Sequence, residues 1–244
     1  MARQLRSDVR QVKNIPLYKL IIATDKLIGD TCKNSKIEVV NVKDGSLEEV
    51  EEAVEARLKE NTLLKPGVVI SAGNKNITLK YWGSNPGLIS GREEAIKHQL
   101  IEGVIEEMKE FQERIQERGG FVIFTSLVPK AKDQISNNDS TKTKIAKRLM
   151  NEVFKEVNTR ICKINEEAGQ STPNIKTYLQ KTGKKEKGKV TVTTIRSRFL
   201  SPEKEVPRRK EQEMMMDCCA KALVHAVEKH ARKNQSTTTA QIYR

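Results

Sequence analysis

Proton transfer near neutral pH needs a side chain that can act as a base there, and three in this chain meet that need unaided, His98, His225 and His230. All three fall in segments whose apolar period predicts helix, so each reads as a surface or core histidine. A thiol nucleophile would have to come from Cys32, Cys162, Cys218 or Cys219. Cys219 with His225 is the pair to weigh, but both lie in one predicted helix with no acid aimed at them. The cysteines form no CxxC pair, and neighbours such as Cys218 and Cys219 rarely bond each other. No zinc site, disulfide or cofactor is expected, and the chain suits a reducing compartment. A first stretch of MARQLRSDVRQVKN carries charge but no apolar run behind it, so no secretory signal is expected.

The residues that remain able to do something together are cations. Lys and Arg number 45 against 32 Asp and Glu, a net charge of +13. The excess is concentrated near the end: residues 181–244 hold 16 basic and 7 acidic side chains. Within that region Lys184, Lys185, Lys187 and Lys189 crowd one segment, and Arg196, Arg198, Arg208, Arg209 and Lys210 another. If Thr194–Phe199 is extended, Arg196 and Arg198 share one face, because strand side chains alternate. Two planar guanidiniums side by side suit phosphate oxygens, whereas lysines act as less oriented point charges. A basic end on a mixed surface points to a polyanionic partner, since each cation that neutralises a phosphate releases counterions. Aromatic residues are 4%, too few for base-stacking platforms, so backbone contacts should dominate. The stretches Ser46–Glu60 and Glu93–Arg118 are net acidic instead, and offer a protein partner an alternative contact.

These residues need a scaffold, and 244 residues suit one sizeable α/β core. Short β-branched runs alternate with amphipathic segments, the pattern of βαβ units and a parallel sheet. Strands are predicted at Tyr18–Ala23, Ile37–Val42, Val68–Ala72 and Phe121–Leu127. A helix begins at Ser46 with Glu49 three residues on, a capping box, and aligns Leu47, Val50, Val54 and Leu58. A longer helix begins near Ser90 and aligns Ile96, Leu100, Val104, Met108, Phe111 and Ile115 until Gly119 and Gly120 stop it. A third carries Ile145, Leu149, Val153, Val157, Ile161 and Ile164 and ends near Gly169. Asn174–Lys181 and Lys189–Phe199 read as two arms of a hairpin around TGKKEKG. A last helix, about Arg208 to Lys233, precedes a polar tail. The domain is expected over 17–233, with an extension at 1–16 and a flexible tail at 234–244. No apolar run approaches the roughly 20 residues of a membrane span.

Five segments in order resemble the consensus blocks of the SGNH (GDSL-type) hydrolases. LIIATDKLIGD stands where that family has a strand ending in Gly-Asp-Ser. KDGSLEEV supplies Gly45 at the glycine of the second block, whose amide helps form the oxyanion hole. VVISAGNKNI retains Gly73 of Gly-x-Asn-Asp but has Lys75 at the asparagine. FVIFTSLVPK resembles the strand that ends in a proline, here Pro129. PEKEVPRR has Pro202 and Glu205 where Asp-x-x-His should put its aspartate and histidine. The nucleophile position falls on Lys26 or, one register off, on Asp25, and neither is serine. A serine hydrolase without its histidine has no base to activate a hydroxyl.

The resemblance therefore implies a three-layer, flavodoxin-like α/β sandwich with a central parallel sheet, a basic hairpin insertion and no catalysis. Lys26, Lys75 and the turn before Arg208 would converge beyond the carboxyl ends of the strands, where such sheets bind ligands. A catalytically empty SGNH domain with a basic surface is closest in kind to the C-terminal OSK domain of the insect Oskar germ-plasm proteins. That implies a developmental, cytoplasmic protein that binds messenger RNA, with DNA not excluded by composition, and protein partners in ribonucleoprotein granules. A protein-interaction scaffold and an esterase-like accessory domain of a retrotransposon protein are the other readings.

Overall fold

The structure is a computed structural model that describes residues 18–25, 37–60, 64–77, 91–127, 139–173 and 215–232. Four strands, β1 (Tyr18–Thr24), β2 (Ile37–Asn41), β3 (Lys65–Ser71) and β4 (Phe121–Phe124), form one sheet in the order β2-β1-β3-β4. Every pairing is parallel: Leu20 lies opposite Ile37 and Gly67, and Gly67 opposite Phe121. The helices are α1 (Leu47–Lys59), α2 (Glu93–Glu117), α3 (Thr141–Glu167) and α4 (215–232).

The sheet is apolar on both faces, as a parallel sheet must be when helices cover each side. Ile21, Ala23, Val68, Ile70, Val122 and Phe124 pack in one core with α1, α2 and α3. Ile22, Ile37, Val69, Phe121 and Ile123 pack in a second with Met215, Met216, Cys219, Leu223 and Ala226 of α4. The result is a helix, sheet, helix sandwich. Among the described residues, no helix is long and apolar enough to cross a membrane.

The expected strands are present, with shifted ends. β3 begins at Lys65, three residues early, because Lys-Pro-Gly reads as a turn; Pro66 is tolerated near the start of the strand, where a missing N–H matters least. β4 stops at Phe124 rather than Leu127. Thr125 still donates its N–H to Ile70 O at 2.9 Å, but the Leu127 backbone bonds a side chain, Asn158, at 2.6 Å from its N–H and 2.9 Å to its carbonyl. Three residues earlier, Asn165 does the same for Phe124, accepting from its N–H at 3.0 Å and donating to its carbonyl at 2.8 Å. Residues 123 and 125 turn their backbone groups toward β3, so Phe124 presents its own to the outer edge. Two asparagines on α3 thus occupy that edge where a further strand would pair.

Two helix expectations are corrected. The capping box of α1 is complete, with Ser46 Oγ accepting from Glu49 N and the Glu49 carboxylate accepting from Ser46 N. The second helix, however, starts at Glu93, and its N-cap Arg92 makes no side-chain bond; Glu93 and Glu94 complement the positive end of the helix dipole instead. On α3, Ile145 is exposed rather than part of the apolar stripe, which runs through Ala146, Leu149, Met150, Val153 and Phe154. Lys26, Ser90, Pro129, the hairpin at 174–199, Pro202, Glu205 and Arg208–Met214 lie outside the described residues, as do 1–16 and 234–244.

Candidate functional site

The chain leaves β1 toward β2 and leaves β3 toward β4, so the crevice between the ends of β1 and β3 is the switch point at which open α/β sheets take ligands. Thr24 and Asp25 end β1 there; Ser71, Ala72, Gly73 and a helical turn at 74–77 end β3. Gly73 has φ +120°, a conformation closed to other residues. Gly45, just past β2, is fixed by space: a Cβ there would meet Val42 Cγ1 at 2.6 Å. Both glycines singled out in the sequence therefore have local physical reasons. The Gly45 amide, assigned to an oxyanion hole by the resemblance, donates to Val42 O at 3.0 Å.

Backbone groups and several side chains of this edge are held by the fold. Asp25 is buried, and its carbonyl accepts from the N–H of Asp44 at 2.8 Å. Ser71 Oγ is buried against Met215 Sδ at 3.9 Å. Lys75 does reach the edge, and its ammonium bonds Glu49 at 2.9 Å. Lys75 in turn holds the Glu49 carboxyl below the usual carboxylate range, helped by the Ser46 N–H. A cation expected to face an anion is thus already neutralised in part. Asn76, which sequence reasoning passed over, is the organising residue: its Oδ1 accepts from Leu47 N at 2.8 Å and its Nδ2 donates to Glu107 at 3.0 Å. One amide joins the start of α1, the β3 turn and α2. Its signal was a polar side chain three residues after a glycine at a strand end.

All three histidines are described, and none stands at this crevice. His98 is exposed on α2 beside Glu102, roughly 14 Å along the axis from Glu107. His230 stacks on Phe121 with ring centroids 5.2 Å apart and bonds Gln170 at 2.8 Å. Phe121 opens β4, so His230 sits at the opposite end of the sheet. His225 is exposed on α4, whereas Cys219 is fully buried against the sheet, so the pair weighed above faces two directions. Cys218 does share a small cavity of about 120 Å³ with His225, Gln170 and Pro173. Burial first, and then Asp217, push the Cys218 thiol up, which keeps it protonated and unreactive near neutral pH. Among the described residues, no cluster of His, Cys, Asp or Glu could hold a metal ion. Of the cations expected to meet a polyanion, Lys26, Lys184, Lys185, Lys187, Lys189, Arg196, Arg198, Arg208, Arg209 and Lys210 lie outside the described residues.

The acidic helices are also partly neutralised. Arg114 of α2 bonds Glu51 at 3.1 Å and lies 3.6 Å from Glu55; Arg118 bonds Glu55 at 2.6 Å. Glu51 is buried in this seam, and its carboxyl is pushed up to about 8 by burial first, then by the charge of Glu107, against the pull of Arg114. The folded state keeps a proton that the unfolded chain, at its ordinary 4.5, has released. Stability should therefore fall as pH rises from about 4.5 to about 8 and level off above. Glu51→Gln should remove that slope and raise stability at pH 8 by ~1–2 kcal/mol, seen in urea melts across this window.

Compared with known proteins, the chain matches no protein-family model, no curated protein and no solved structure. What fold and site define is a class: an α/β sandwich on an all-parallel, four-stranded sheet whose crevice residues Ser71, Lys75 and Asn76 make internal contacts.

Proposed function

We propose that this is a catalytically inactive, SGNH-like domain that binds RNA through a basic surface, in the manner of the OSK domain. The observation that carries the reading is the uneven charge: 16 basic against 7 acidic side chains in 181–244, on a chain whose α1 and α2 are acidic. The committed contacts of Lys75, Asn76 and Ser71 at the crevice support a binding role over a chemical one. Messenger RNA in a cytoplasmic ribonucleoprotein particle is the partner that the OSK resemblance favours.

The test is binding of the whole chain to a labelled RNA stem-loop with a single-stranded tail, followed by anisotropy at several salt concentrations. Arg196→Glu with Arg198→Glu should weaken binding about tenfold or more, and more than Lys184→Glu with Lys185→Glu, because paired forks hold phosphate more firmly than separate ammonium groups. Melting should change little, since exposed charges contribute little to stability. Absence of wild-type binding at near-physiological salt overturns the reading and leaves the acidic helices as a protein contact.

A further inference from the structure

The charge of the helical layer is sorted in a way that packing does not require. α1 has two basic and five acidic side chains, and α2 three and eight, whereas α3 has seven basic and four acidic. Four of those seven, Lys142, Lys144, Lys147 and Arg148, fall in the first eight residues of α3, which has no acid in its first turn. Cations at that end oppose the helix dipole, so folding alone would not place them there. Lys147 is buried and pairs with Asp139 at 2.9 Å.

The seam with α2 then occupies the middle acids of α3. Glu152 reaches Lys97 at 3.3 Å, and Arg160 takes Glu102 at 2.6 Å and Glu156 at 3.2 Å. These contacts neutralise the middle acids of α3. Toward solvent, at 3.6 residues per turn, Lys144, Arg148 and Lys155 fall within about 40° of one line with Asn151 between them, and Lys155 also borders the groove to α2 beside Glu152 and Glu156. Arg148 and Lys155 are exposed, and neither forms an ion pair among the described residues. Along the axis the three cations are about 6 Å and about 10 Å apart.

We propose that this line is a second contact for RNA, one that follows its phosphate backbone. The inference rests on the RNA reading above and adds to it a surface on the folded core, distinct from the basic segment 181–210. Cations in a row, without an aromatic among them, suit a backbone and not base edges.

The whole chain with Arg148→Glu and Lys155→Glu is titrated against the same labelled stem-loop, beside a control with Lys59→Glu and Lys109→Glu. The control makes the same change in net charge on exposed positions of α1 and α2. The α3 variant should bind about tenfold more weakly or worse, and the slope of log affinity against log salt should flatten by nearly two units. The control should stay within about twofold of wild type. If the α3 variant binds like wild type, or the control weakens equally, the line is no contact, while the RNA reading stands. If wild type itself does not bind, the RNA reading falls and this one with it. Should the reversal disturb the melt, Arg148→Gln with Lys155→Gln replaces it, with the same direction expected.

Discussion

Val69→Asp is expected to abolish the cooperative melt of this protein. Val69 lies in β3, between β1 and β4, with none of its surface exposed, and packs toward Met215, Met216 and Leu223 under α4. No described cation projects into that core, so the new carboxylate would be buried without a partner. An unpaired buried charge costs about 3–5 kcal/mol and a lost valine side chain about 1.5 more, against a total stability of about 5–15 kcal/mol. The aspartate would lower that cost by taking a proton, so a residual transition should be easier to see at pH 5 than at pH 8. Ile123→Asp, on the same face of β4, should behave alike. Circular dichroism during heating checks both; a transition within a few degrees of wild type would mean that β3 is not the central strand.

That expectation was available from the sequence because a strand covered on both faces has no polar alternation. VVI and FVIF are continuous apolar runs, and ends aside, β3 and β4 were legible for that reason, while β1 and β2 were legible from their short β-branched runs. So was the start of α1, where Ser46 and Glu49 announce the cap chemically. The start of α2 was misplaced because Ser90, with Glu93 three residues on, has the spacing of a capping box, whereas the helix begins at Glu93 itself, after Arg92. Ile145 was misassigned since a stripe at i, i+4 passes equally through Ile145 and Leu149, and only the packing of α3 on α2 picks Ala146 and Leu149 as the inner pair.

Less of the site was legible. Glycines past strand ends carry their signal in residue type, so Gly45 and Gly73 were found. Lys75 was found as a cation at the right place, but its bond to Glu49 joins two segments 26 residues apart, and no local pattern encodes that. The line on α3 was missed for a related reason. Seven cations and four acids in one helix read as a mixed surface until the partners of Glu152 and Arg160 on α2 show which of them are neutralised. Asn158 and Asn165 were the most readable of the omissions: two amides seven residues apart, beside Val157 and Ile164 on a buried stripe, have to bond something in the interior.

What they bond makes the second large effect predictable. Asn165 is fully buried and satisfies three groups at once: the Phe124 N–H, the Phe124 carbonyl and, at 2.8 Å, the Thr172 hydroxyl. Asn165→Leu keeps the volume and removes all three bonds. Leaving a buried donor or acceptor unpaired costs about 1–3 kcal/mol, and two backbone groups are stranded here, so a loss of ~3–5 kcal/mol is expected. Asn158 is only half-buried, and water can reach Leu127 when its amide is removed, so Asn158→Leu should cost ~1–2 kcal/mol. Asn165→Asp still accepts from the Phe124 N–H but sets a carboxyl against the Phe124 carbonyl, and should fall between wild type and Asn165→Leu at acidic pH only. The freed edge of β4 is also a template for strand pairing between molecules, so Asn165→Leu should aggregate at temperatures where Asn158→Leu does not. Urea denaturation with light scattering reads both effects. An Asn165→Leu protein within ~1 kcal/mol of wild type would show that the outer edge of β4 finds its partners elsewhere.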